Sequence, residues 1–129
     1  MTDNTSNNMI ITKQYLLDHP DEIFVFGDNV LRKGFGGGAG LRHFPNTFGF
    51  LTKKAPATTD SAYYTPEEYR PIFLKELKYL CDTIELNPGK TFLISKIGAG
   101  LANRFNIWEE VIEPKIFELK KYPNVRFLF

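Results

Sequence analysis

Six of the ten glycines fall between Gly27 and Gly40, directly behind the apolar run Glu22-Ile23-Phe24-Val25-Phe26. That juxtaposition constrains the fold more than any other feature of the chain. A short, near-continuous apolar run suits a strand covered on both faces, as in a central parallel sheet. Glycine reaches positive φ and lets backbone approach a ligand with no β-carbon in the way. A buried strand emptying into such a loop matches the way open α/β sheets build ligand sites at the carboxyl ends of their strands.

The remaining segments alternate in the same sense. Met9-Ile10-Ile11 reads as a short strand, followed by a brief helix over Lys13 to Asp18 that Pro20 must end. Thr47-Phe48-Gly49-Phe50-Leu51 reads as a strand, and Thr52 to Thr65 as a long loop. Thr65-Pro66-Glu67-Glu68 carries a capping box with proline at the first helical position. Tyr69, Phe73, Leu77, Leu80 and Ile84 continue it as an apolar stripe, while Pro71 predicts that the regular helix begins only there. Asn87-Pro88-Gly89 is a turn before the strand Thr91-Phe92-Leu93-Ile94. Asn106, with Glu109 three residues on, predicts the cap of a last helix that Pro114 kinks or breaks, and Asn124 to Phe129 closes as a strand. Strands alternating with helices predict one α/β domain with a mostly parallel sheet over residues 9–129, behind a flexible polar segment, residues 1–8.

Composition narrows the function classes. Sixteen Lys and Arg against fifteen Asp and Glu leave a net charge of +1, too little for a whole-molecule field that steers nucleic acid. Cys81 stands alone, so the chain can form no intrachain disulfide and no cysteine cluster for a metal, and it reads as a small core residue. No run of 18 apolar residues is present, and no basic-then-apolar leader precedes the domain. A soluble cytoplasmic protein with no membrane partner and no cofactor is expected.

Two glycine-rich loops carry the candidate chemistry. The first runs through Gly27, Asp28 and Asn29, then Gly36, Gly37, Gly38, Ala39 and Gly40. Consecutive free N–H groups with a helix start behind them suit a diphosphate, and Asp28 and Asn29 are placed to hydrogen-bond sugar hydroxyls or an amide. A loop that binds nothing is the competing reading. No Lys-Ser or Lys-Thr follows the glycines, which weighs against a P-loop, and no clean GxGxxG is present. The second loop, Gly98, Ala99, Gly100, Leu101, Ala102 and Asn103, again joins a strand to a helix. Two such loops can grip one extended ligand from opposite sides. A tight structural turn is the alternative.

The pattern IFVFGDNVLRKGFGGGAGLRHFPNTFGFLTK, with SKIGAGLANRFNIWEEVIEPKI far downstream, resembles the macrodomain superfamily. It is most similar to small macro-like proteins of bacteria and their phages. The second motif is similar to the branch of glycohydrolases that remove ADP-ribose from carboxylate side chains or DNA bases. The resemblance implies a three-layer α/β/α fold with ADP-ribose, or an ADP-ribosylated macromolecule, across the crest of the sheet. Gly36 to Gly40 and Gly98 to Leu101 would wrap the diphosphate and distal ribose, and Asp28 or Asn29 would bond the ligand. Hydrolases of that branch use a lysine after the first loop and an acid after the second. Leu41-Arg42-His43-Phe44 holds no lysine, and Ala102 and Asn103 occupy the acidic place. If hydrolysis occurs, Asp28 is the residue left to activate or orient water.

Several neighbours stay open to two readings. Arg42 can pair with phosphate or be a solvated helix residue. Lys96 can face the site or the solvent, and Lys53 and Lys54, at a strand end, can line the same mouth but read first as surface lysines. His43 reads as structural, Trp108 as core, and Tyr63 and Tyr64 either as a lid stacking on adenine or as packing for the long loop. The functional expectations are therefore threefold. A nucleotide-binding domain, with hydrolysis of ADP-ribosyl groups left open, leads. A non-catalytic sensor or sequestering protein of phage or defence type comes second. A nucleic-acid module using Arg32, Lys33, Arg42, Lys53, Lys54 and Arg104 comes last.

Overall fold

A computed structural model of the chain describes residues 10–129; the polar segment 1–8 and Met9 lie outside the described residues. Four strands form one sheet: β1 (Glu22–Asn29), β2 (Thr47–Lys53), β3 (Thr91–Ile94) and β4 (Val125–Phe127). Their order is β2-β1-β3-β4, and every pair is parallel. The α-helices are α1 (Lys13–Asp18), α2 (Pro66–Leu86) and α3 (Glu113–Ile116), with 3-10 turns at Gly37–Leu41, Asp60–Ala62 and Phe117–Lys121. This is the α/β architecture with a parallel sheet that the alternation predicts. The strand expected around Ile10 and Ile11 does not form. Ile10 is 83% exposed, and Thr12 instead turns the chain into α1 by accepting the Tyr15 amide proton.

The pleat sends alternate side chains to opposite faces. Phe24, Phe26 and Leu93 pack on one face with Leu16, Ala39 and Leu41. Val25, Phe50, Phe92 and Ile94 pack on the other with Tyr69, Phe73 and Leu80 of α2 and with Ile107 and Ile112. Both faces are thus covered, but unequally: a six-residue helix and a 3-10 turn on one, long α2 and the C-terminal helical stretch on the other.

Helix α2 begins with the predicted capping box, in which Thr65 accepts the Glu68 amide and Glu68 accepts the Thr65 amide. It then runs unbroken through Pro71, contrary to expectation. The box and Pro66 fix the first turn, and Pro71 removes only one backbone donor near it. The last helix is less regular. Trp108–Ile112 is a π-helical turn leading into α3, which carries Pro114 at its start. A proline ring clashes with the carbonyl four residues back, here Glu110, and the wider turn before it relieves that clash. Its cap is Asn103, whose side-chain oxygen accepts the Trp108 amide at 2.9 Å. Asn106, the expected cap, turns the chain in the left-handed region at φ 64°, a conformation asparagine tolerates.

The outer strand β2 is guarded by side chains. Arg32 donates to the Gly49 carbonyl, the Leu51 amide donates to Glu76, and the Tyr69 hydroxyl donates to the Leu51 carbonyl.

The strand order contains a reversal. From β1 the chain moves to one side, reaching β2 across the face that holds Ala39 and Leu41. It then crosses back by α2 over the opposite face to β3, and continues the same way to β4. Opposite directions on opposite faces give the crossovers one common hand, as parallel connections require. The connections leaving β1 and β3, which are neighbours, therefore diverge.

Candidate functional site

Between β1 and β3 the sheet splits open. The two strands pair from Glu22↔Thr91 to Val25↔Ile94, after which β1 continues beside β2 alone as far as Asn29↔Lys53. Ser95 still donates its amide and hydroxyl to the Val25 carbonyl, and then the chain swings away. The cleft so formed lies at the carboxyl ends of the strands where their connections part, the general ligand position of open α/β sheets. Its volume is about 290 Å³.

Both glycine loops line this cleft. Gly36, Gly37, Gly38 and Ala39 form one wall, and Lys96, Gly98, Gly100 and Leu101 the other, with Gly27, Asp28 and Asn29 at the base. The walls meet: a β-carbon added at Gly36 would lie 2.9 Å from Leu101 Cδ1. Among the described residues, the amides of Gly36, Gly98 and Gly100 have no intramolecular backbone acceptor. Gly37 and Gly98 adopt φ of 57° and 78°, so the loop paths need glycine there.

The first loop is fastened by charge. The Asp28 carboxylate, 1% exposed, accepts from Arg42 at both oxygens, from Arg32 at 3.2 Å and from the Asn29 amide at 2.8 Å. Arg42 donates onward to the carbonyls of Lys33 and Gly34, and the Asn29 side-chain amide donates to the Lys33 carbonyl at 2.6 Å. Burial pushes the Asp28 carboxyl up, but the hydrogen bonds from Arg42, the Asn29 amide and Arg32 outweigh it, and its pKa lies below the ordinary value. A β-bulge at Asp28/Asn29, with Thr52 as the extra residue of β2, turns this segment out of register.

These contacts revise several expectations. Asp28 is held ionised, and both its oxygens are occupied, so its geometry is that of a loop anchor and not of a water-activating base. Arg42 spends its donors on Asp28, Lys33 and Gly34 and does not line the cleft, so the phosphate-pairing role is not what its position serves. Gly40 and Ala99 also stand outside the lining, and Asn103 caps the last helix and donates to Glu109. Tyr63 and Tyr64 are both buried, the first packed edge-on to Phe105 and the second against Tyr69. The loop carrying them is bound down by the Lys53↔Tyr63 bridge and the Arg104–Asp60 ion pair, so it forms a wall rather than a stacking lid. Trp108 is core as expected, and exposed His43 lies outside the cleft.

Phe35 and Pro56, which sequence reasoning passed over, complete the lining with Lys96, one of the expected candidates. Lys33, Lys53 and Lys96 all face the cleft, while its one acid, Asp28, is neutralised by two arginines, so the local charge is positive. Lys96 is further placed over the Trp108 ring, 5.3 Å from its centroid. Pro56 reaches Gly34 from the long loop. Phe35, 78% exposed, and Leu101, 68% exposed, stand at the cleft from opposite loops. The signal for Phe35 was an aromatic side chain set between two glycines of a loop already suspected of binding. Among the described residues no group of three His, Cys, Asp or Glu side chains can hold a metal, and no helix is long and apolar enough to cross a membrane.

A family model described as a family of unknown function (DUF7831) matches residues 6–103, well over half of the chain. No curated protein and no solved structure matches significantly.

Proposed function

We propose, for a chain that belongs to the DUF7831 family, that the cleft between β1 and β3 binds a phosphate-bearing nucleotide of the ADP-ribose type, as a macro-like domain would. The observation that carries this reading is convergence: two glycine loops with bare amides share one cleft lined by three lysines, none of them paired with a carboxylate among the described residues. Bare amides and lysines suit phosphate oxygens, and the low polarity of a partly enclosed cleft strengthens both. An ADP-ribosyl group carried on a macromolecule would meet the same groups.

Binding is favoured over hydrolysis by the state of Asp28. A carboxylate held ionised by two arginines is a weak acceptor for a proton from water. The protein is thus read as a cytoplasmic sensor or sequestering module for a nucleotide signal. The nucleic-acid reading loses ground because Arg32 and Arg42 are committed to Asp28, Lys54 to Glu68 and Arg104 to Asp60. Calorimetry with ADP-ribose, NAD and ATP tests the proposal. Saturable heat from ADP-ribose is expected, and no heat from any of the three at millimolar concentration would overturn it. Release of free ADP-ribose from an ADP-ribosylated protein or DNA would refute the purely binding role.

A further inference from the structure

A lone exposed phenylalanine is ordinary on a protein surface, but Phe35 is not placed as a lone one. It lies between Gly34 and Gly36 at the cleft, where Leu101 approaches from the opposite loop close to Gly36. The backbone beneath it is held on both sides. Arg42 binds the carbonyls of Lys33 and Gly34 just before it, and its own carbonyl packs over Gly40, where an added β-carbon would meet it at 3.6 Å. An apolar ring is therefore presented to water on a fastened loop, beside three lysines.

The volume of the cleft bears on what such a ring is for. About 290 Å³ lies just below the roughly 300–1,000 Å³ of pockets that enclose a drug-sized ligand. A ligand as long as a nucleoside diphosphate sugar must leave part of itself at the lip. With its anionic part at the amides and lysines, the part left at the lip meets Phe35 and Leu101.

We infer that Phe35 is the platform on which the ligand's planar base stacks, with Leu101 bounding the base from the second loop. This rests on the nucleotide reading of the cleft and narrows it to ligands that combine a diphosphate with an aromatic base, as against sugar phosphates or free pyrophosphate. Stacking on an aromatic side chain supplies affinity without hydrogen-bond readout, so the lip would accept more than one base.

Titration of wild type, F35A, F35L and F35W with ADP-ribose, ribose 5-phosphate and pyrophosphate tests the inference. F35A and F35L should bind ADP-ribose about tenfold more weakly, within the range measured for base stacking, while their affinity for pyrophosphate stays at the wild-type level. F35W should bind ADP-ribose as wild type does, and its added indole fluorescence should be quenched by ADP-ribose and not by pyrophosphate. Unchanged ADP-ribose affinity in F35A would overturn the inference and leave the nucleotide cleft standing. Equal weakening toward pyrophosphate would also overturn it, because the ring would then only be shaping the loop. If wild type binds none of the three probes, the cleft reading fails and this one with it.

Discussion

The two loops that meet at the cleft are built by different means. Loop Gly34–Gly40 hangs on charged and polar side chains: Asp28 beneath it, Arg42 and Arg32 on that carboxylate, and Asn29 across its neck. Loop Lys96–Leu101 is seated on hydrocarbon. Ile97 and Ala102 are buried on either side, and Gly98 lies against Ile107 and Ile112. The difference teaches how one cleft can have a stiff wall and an adjustable one. Apolar packing has no partner to exchange and barely responds to pH, whereas a wall fastened to a carboxylate responds as that carboxylate titrates.

The largest effect is expected in the apolar wall. Gly98→Val places a β-branched side chain at φ 78°, into Ile112 Cδ1. Left-handed strain of about 1–2 kcal/mol adds to overpacking of about 1–3 kcal/mol. Urea denaturation should show a loss of several kcal/mol, and a wild-type midpoint would mean that this loop is not packed as described.

A smaller loss is expected in the charged wall. Arg42→Met removes one partner of a buried carboxylate, for which about 3–5 kcal/mol is the usual cost. Because Arg32 and the Asn29 amide remain on Asp28, we expect about 2 kcal/mol in urea, together with loss of ADP-ribose binding as the loop loosens. Ligand affinity equal to wild type would break the comparison, since the fastening would then have no bearing on the cleft.

The pH response is the finest distinction. The folded-state pKa of Asp28 is depressed below its unfolded value, so its contribution is complete above the unfolded pKa, ~3.9, and is lost as pH falls through the folded one. Thermal midpoints of wild type and Asp28→Asn should differ most near neutral pH and converge as pH falls through the depressed pKa of Asp28. A gap that stays constant on acidification would show that Asp28 acts through shape alone.

Much of this fold was legible in local sequence. The apolar runs Phe24–Phe26 and Phe92–Ile94 marked strands because burial on both faces demands them, Phe48 and Phe50 marked one because alternate residues share a single buried face, and Thr65 with Glu68 marked a helix start because orphan amides need acceptors there. Misreadings came where the deciding partner is distant. Asp28 reads as a ligand residue until Arg42, fourteen positions on, is seen to occupy it. Asn106 reads as the cap of the last helix, and only the left-handed turn there, with the Asn103 side chain on the Trp108 amide, decides otherwise. That two glycine loops lie near strand ends could be read along the chain; that they touch follows from the strand order, which no local pattern encodes.

The guarded margin of β2 has a bearing on how this protein keeps company with its own copies. Bare strand margins invite a neighbouring chain to add itself and so seed filaments. Here Arg32, Glu76 and Tyr69 already answer the Gly49 and Leu51 backbone groups. Recruitment of a foreign strand would first have to evict them, and Arg32 would have to leave the carboxylate that steadies the binding loop.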